Sequence, residues 1–273
     1  MITHFADMLL KFGDGREEYH TDIGQYKVKA PTELIVNPSN ISDLCSFVFD
    51  DLDDNFNNPQ WLCSRSIICP TNEEVDEIND FMLSQFPSDV ERMYLSNDSL
   101  LEGNEHHYPL EYINTLNTSG MPPHKLKLKI GCSIILLRNM DLSNGHGNGS
   151  RYVVRQLSTR IIEAELSTGP HAGNLLHIPT IPICPSQTTF PFKMKRVQFP
   201  VKLAFSVTSN KAQGQTLSKV GIYLGRNFFS HGQLYVAMSR VSSSTNIKIL
   251  ARNATFPNKS GHFIDNIVYP EVF

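Results

Sequence analysis

A chain of 273 residues, 40% of them hydrophobic and with a formal net charge of −3, can bury a sizeable core in one or two domains, which excludes a disordered polymer. No apolar run approaches the roughly 20 residues needed to span a bilayer, so no membrane partner is expected. The opening segment MITHFADMLLKFGDG has neither a basic leader nor a long apolar core, and it is not expected to act as a secretory signal.

Residues 5–10 suggest a short helix, ended by the Gly13-Asp14-Gly15 turn. Apolar positions Ile41, Leu44, Cys45 and Val48 mark a helix over 41–49, and 50–58 reads as a polar loop that lacks the central glycine and terminal glutamate of a calcium loop. Residues 66–69 predict a strand running into Pro70-Thr71-Asn72-Glu73-Glu74. Thr71 and Glu74 have the spacing of a capping box, and Val75, Ile78, Met82 and Phe86 share one helical face. Thr71 and Asn72 therefore stand at a strand-to-helix junction, where free backbone N–H groups suit a backbone phosphate. A plain helix cap at Thr71 is the alternative, and the two roles are compatible.

Residues 91–123 read as polar and turn-rich. HKLKLKIG then alternates strictly, with Lys125, Lys127 and Lys129 on one face and Leu126, Leu128 and Ile130 on the other. That lysine face is either a solvated strand surface or a nucleic-acid contact. Strands are expected over 133–137, 152–157, 161–166 and 175–178, which together predict a small antiparallel barrel over about 126–200. The glycine-rich segment 145–151 precedes a strand and not a helix, so a hairpin loop is favoured over a phosphate cradle.

The apolar run 203–207 reads as one buried strand, after which Thr208 or Ser209 can cap a short helix that stops at Gly214. Residues 220–224 form a second β-rich run. Residues 231–238 have helical spacing through Leu234, Tyr235 and Met238 and end in Ser239-Arg240, and a third strand follows at 247–250. An arginine at a helix end beside a strand-end loop suits stabilisation of charge on a transferring phosphoryl group; a solvated surface charge is the alternative.

Acidic residues crowd 50–54 and 73–80, whereas 125–129 and 193–202 are basic, so the small negative net charge is compatible with a local nucleic-acid track. Cys45, Cys63, Cys69, Cys132 and Cys184 form no C-x-x-C pair, and their odd number argues against a disulfide framework. The histidines show no ligand spacing, the adjacent His106 and His107 included, and no bound metal is expected.

SVTSNKAQGQT and HGQLYVAMSR resemble motifs V and VI of the superfamily-one DNA helicases of the PIF group, most closely the helicase half of Helitron transposons. FADMLLKFGDG, SIICPTNEEVDEIND, MPPHKLKLKIGCSIILLRNMD, NGSR and NIVYPEVF are similar to further family segments in the family's order. The resemblance implies an α/β fold: a RecA-like parallel-sheet second motor domain with an inserted small antiparallel β-barrel. The expected divisions are 1–125 for the first part of the motor domain, 126–200 for the barrel and 201–273 for the remainder. No glycine of the sequence is followed by lysine, so there is no phosphate loop. The resemblance therefore implies the C-terminal portion of an ATP-dependent DNA helicase, with ATP and Mg²⁺ held only together with a missing N-terminal RecA-like domain. By resemblance Arg240 is the catalytic arginine finger. Gln213 and Gly214 face the triphosphate, and Thr71, Asn72, Thr208, Ser209, Asn210 and Lys211 lie along single-stranded DNA. The family commonly has histidine where Asn210 stands, and often serine where Ala212 stands, which puts the DNA contact at Asn210 in doubt. A nuclear or mitochondrial location and work in DNA repair, recombination or telomere maintenance are implied in the same way. The alternative is a non-enzymatic single-stranded nucleic-acid-binding remnant of a Helitron transposon.

Overall fold

A computed structural model of the chain describes residues 2–36, 40–101, 108–118, 120–185 and 190–269; His106, His107 and residues 270–273 of the NIVYPEVF segment lie outside them. In chain order come α1 (Ile2–Gly13), β1 (Lys27–Lys29), α2 (Ile41–Val48), α3 (Leu52–Asn55), α4 (Pro59–Cys63), β2 (Arg65–Cys69) and α5 (Asn72–Gln85). They are followed by β3 (Glu91–Leu95), β4 (Asn97–Leu101), α6 (Leu110–Thr115), β5 (Lys125–Lys129), β6 (Ser133–Leu136) and β7 (Arg151–Leu157). Next are β8 (Ile161–Leu166), β9 (Leu175–Pro179), β10 (Ile181–Ile183), β11 (Lys193–Gln198) and β12 (Val201–Leu203). The last stretch holds β13 (Ser206–Thr208), α7 (Ser209–Ala212), β14 (Lys219–Leu224), α8 (Gln233–Met238), β15 (Ile247–Ala251) and β16 (Phe263–Asp265).

Two compact units result, one of Met1–Leu52, Ser64–Ser84 and Phe205–Phe273, the other of Asp53–Cys63 and Gln85–Ala204. The first unit is built on a parallel sheet in the order β13-β2-β14-β15. Its strands are nearly continuous runs of buried residues, as a sheet covered on both faces demands. Helix α2 packs on this sheet, and Gly221 is what lets it approach: a Cβ there would fall 2.8 Å from the Val48 side chain. The face of α5 expected to be buried is buried at Val75, Ile78 and Met82, and Phe86 just beyond is buried too. Asn79 on the same helix clamps the start of β13, accepting from Ser206 N at 2.9 Å and donating to Ser206 O at 3.3 Å.

All sheets of the second unit are antiparallel: a five-stranded ladder β12-β6-β7-β8-β9, a three-stranded ladder β10-β11-β4 and the pair β3-β5. The strands expected over 133–178 are present. Among the described residues β12 and β9 end the long ladder and do not pair with each other.

Three expectations are corrected, the first being the polar loop over 50–58, which holds the short helix α3. The run 203–207 is not one strand. It breaks at Ala204-Phe205, because β12 pairs antiparallel with β6 in one unit while β13 pairs parallel with β2 in the other. Both break residues are fully buried, so hydrophobicity alone does not reveal the break. Residues 91–123 are not merely turn-rich, since they hold β3, β4 and α6. Only Tyr94 of β3 is buried, and β4 pairs with the distant β11, so neither strand leaves a local periodic signal.

Candidate nucleotide and nucleic-acid interface

Thr208, the last residue of β13, is in register with Cys69, the last residue of β2. The segments that follow, Thr71-Asn72 and Ser209 to Lys211, therefore leave neighbouring strands at the same carboxyl edge, the usual ligand edge of an open α/β sheet. The capping box forms as expected: the Thr71 amide and hydroxyl donate to Glu74 Oε2 at 3.2 and 3.0 Å, and Glu74 N donates to Thr71 Oγ1 at 3.3 Å. Thr71 is thus engaged as a cap, whereas Asn72 is exposed. Glu74 has a second task, because its Oε1 accepts the Arg226 amide at 2.6 Å and so ties the loop after β14 to α5.

Thr208 occupies the cap position of α7 without a capping bond from its side chain. The buried Ser209 hydroxyl does not cap either; it donates to Gln233 O at 3.2 Å, joining the start of α7 to the start of α8. The neighbouring Asn210 and Lys211 are exposed, as are Gln213 and Gly214. No carboxylate among the described residues forms an ion pair with Lys211.

Arg240 belongs to the other edge. Its carbonyl accepts from Leu217 N at 2.9 Å, and Ser218 N donates to Ser64 O at 2.7 Å, just before the amino ends of β14 and β2. The guanidinium is half-buried and held by neutral acceptors: Nε donates to Val236 O at 2.7 Å, Nη1 to Gln215 O at 3.2 Å and Nη2 to Ser239 Oγ at 2.8 Å. Among the described residues no carboxylate pairs with it. Gln215 immediately follows Gly214, whose φ of +78° is left-handed and whose missing Cβ would meet nothing within 4 Å. Gln213 and Gly214 therefore adjoin the Arg240 guanidinium through Gln215, and the short helix α7, with Asn210 and Lys211, leads to this group from the carboxyl-edge residues Thr71, Asn72, Thr208 and Ser209.

Helical spacing over 231–238 makes Gln233 one more helical position. Its side-chain Oε1 accepts the Phe229 and Ser230 amides, both at 3.2 Å, and so shapes the loop before α8. At the same edge Glu73, Glu74, Glu77, Tyr223, Gly225, Arg226 and Arg252 line a cleft of about 240 Å³. Burial pushes the Tyr223 phenol up to about 12, with the Glu77 carboxylate adding to the shift.

In the second unit the lysine strand alternates as expected, but its charges have partners: Lys127 lies 3.2 Å from Glu91, and Lys129 donates to Phe86 O at 2.9 Å. The glycine-rich segment is the β6–β7 connection. Arg151 at its end points inward, donating to Cys63 O at 3.1 Å and to Ala204 O. Among the described residues no cluster of three or more His, Cys, Asp or Glu side chains could hold a metal, and no helix is long and apolar enough to cross a membrane.

The family described as DNA helicase Pif1, 2B domain, matches residues 111–157, inside the second unit. The human ATP-dependent DNA helicase PIF1 is 31% identical over 186 residues, which cover 67% of this chain and 26% of the human protein. Its Danio rerio counterpart is 29% identical over 198 residues, covering 67% of this chain and 27% of that protein. The chain thus spans only 26–27% of the length of these relatives. Among solved structures, the Pif1 helicase from Candida albicans superposes with a TM-score of 0.58 at 22% identity, covering 92% of this chain and 54% of that one. Bacteroides Pif1 bound to ssDNA gives 0.53 at 23%, covering 80% and 50%. By sequence and by fold, the chain is related to the Pif1-type DNA helicases and corresponds to their C-terminal part.

Proposed function

We propose that this chain is the second motor domain, with an inserted antiparallel and barrel-like subdomain, of an ATP-dependent DNA helicase that moves along single-stranded DNA. The observation that carries the reading is the Arg240 guanidinium, oriented by three neutral acceptors and unpaired with any carboxylate among the described residues. A planar, permanently charged donor presented in this way suits the charge that develops on a transferring phosphoryl group. Gln213 and the open, left-handed Gly214 fit close approach of a triphosphate. ATP, bound between this domain and a complementary phosphate-loop domain that would hold Mg²⁺, would bridge the two domains and supply the phosphoanhydride to be cleaved. Asn72, Thr208, Asn210 and Lys211 grip the strand, and the short helix α7 joins this grip to Gln213, Gly214 and, through Gln215, to Arg240, so closing the cleft at the nucleotide moves the grip.

The lack of any Gly-Lys pair in the sequence favours a second reading, a single-strand-binding module without catalysis. Joining the chain to the phosphate-loop motor domain of a related helicase separates the two. DNA-stimulated ATP hydrolysis by the fusion, absent from either half alone, supports the motor; DNA binding without turnover supports the module.

A further inference from the structure

We propose that Phe229, with the His231–Tyr269 ring pair beside it, is a base-stacking platform for single-stranded nucleic acid, a contact that rests on the single-strand reading and extends it from phosphates to bases. Phe228 is buried at 3% exposure and anchors the loop after β14, whereas the adjacent Phe229 is turned out at 65%. That outward position is held in place, because Gln233 Oε1 accepts both the Phe229 and the Ser230 amides at 3.2 Å. Phe229 is one of several exposed large apolar side chains; the fixed backbone and the ring pair beside it set it apart.

Three features favour a nucleobase as the cover of Phe229. The first is position: the Gln233 carbonyl accepts the Ser209 hydroxyl at 3.2 Å, so the Phe229 loop abuts the start of α7, from which Asn210 and Lys211 project into solvent. The second is a neighbouring ring pair. His231 and Tyr269 lie face to face at 5.6 Å and 15°, His231 Nδ1 accepts the Tyr269 amide at 3.0 Å, and the Gly232 amide donates to Ile267 O at 2.9 Å. Tyr269 is itself 42% exposed. The third is the polar company of exposed Ser230, Asn210 and Lys211, with Arg226 engaged by Glu73 at 3.3 Å, where a protein interface core is depleted in charge. Exposed rings flanked by cations are what stacking of successive bases along a charged backbone requires.

The test compares binding of a thymidine oligonucleotide and an abasic strand of equal length by the wild-type chain, Phe229→Ala and Phe229→Trp, with equal melting temperatures confirming that the exposed substitution leaves the fold intact. Phe229→Ala is expected to weaken binding to the base-bearing strand by roughly 10- to 100-fold, to leave the abasic strand unaffected, and to be rescued by tryptophan. Wild-type affinity of Phe229→Ala for both strands, or equal losses on both, overturns the platform while leaving the single-strand reading in place. A wild-type chain that binds neither strand overturns both.

Discussion

Arg196 Nη2 lies 2.6 Å from Asp98 Oδ2, and neither side chain is exposed to solvent. The contact is bidentate, with Arg196 Nε 2.9 Å from Asp98 Oδ1, and Nη1 donates to the carbonyls of Leu116 and Pro122 at 3.1 Å each. One guanidinium thus ties β11 to β4 and to the segment that follows α6, which is how the three-stranded ladder closes over its small apolar cluster. A buried pair of this kind is costly to break from one side, because the partner remains charged without solvent. Asp98→Ala should destabilise the second unit by about 3–5 kcal/mol, and an Asp98→Leu/Arg196→Met double variant should lie closer to wild type. Urea unfolding of the three proteins is the measurement; a single variant as stable as wild type would show that the pair is not structurally important.

For Arg240 the geometry separates charge from shape. Its three donors reach Val236 O, Gln215 O and Ser239 Oγ, a fork that lysine cannot reproduce. In a fusion with a phosphate-loop domain, Arg240→Lys should reduce turnover by on the order of 10³-fold or more while leaving single-strand affinity within about twofold. Turnover near that of the parent fusion would remove Arg240 from the reaction.

What the sequence revealed and what it hid divide by the range of the interactions. The Thr71–Glu74 box is an i,i+3 contact and the buried face of α5 is a helical period, so both are legible from spacing. The Ser209 hydroxyl is different: local spacing offers it as a cap of the short helix, whereas its partner is Gln233 O, 24 residues away. Likewise the break at Ala204-Phe205 follows from two sheets each claiming half of one apolar run, and Lys127 reads as a free cation until β3 brings Glu91 beside it. The separation of Arg240 from Thr71 across the parallel sheet depends on strand order, which spacing does not encode.

Alkaline pH should unfold the chain through its buried thiols. Burial pushes Cys45 and Cys132 up to about 12, whereas a thiol in the unfolded chain ionises near about 8.5. The native state therefore holds the proton that the unfolded state releases. The contribution is complete below pH about 8.5 and is lost as pH rises from there towards about 12. Urea midpoints should fall steadily between pH about 8 and about 10, with a shallower fall in Cys132→Ala. Of the cysteines only Cys184 is exposed, so a thiol reagent should label it alone until the protein unfolds. Rapid native labelling of Cys132, or midpoints that do not change over this range, would contradict the burial.

The salt dependence of single-strand binding should identify which cations make the track. Each phosphate neutralised contributes a slope of about −0.7 in log affinity against log salt, because binding releases condensed counterions. Lys211 is exposed at the carboxyl edge and has no carboxylate partner among the described residues, so Lys211→Ala should flatten the slope by up to about 0.7. Lys127 is paired with Glu91 and Lys129 donates to Phe86 O, which leaves Lys125 as the one member of the strand with neither kind of contact among the described residues. The Lys125/Lys127/Lys129 triple alanine variant should therefore change the slope by less than Lys211→Ala does, although it removes more positive charge. Titration of oligonucleotide binding from low to physiological salt decides between them. A triple variant whose slope collapses while that of Lys211→Ala holds would move the track from the parallel sheet to the antiparallel unit, and the assignment of Thr208 to Lys211 would fall with it.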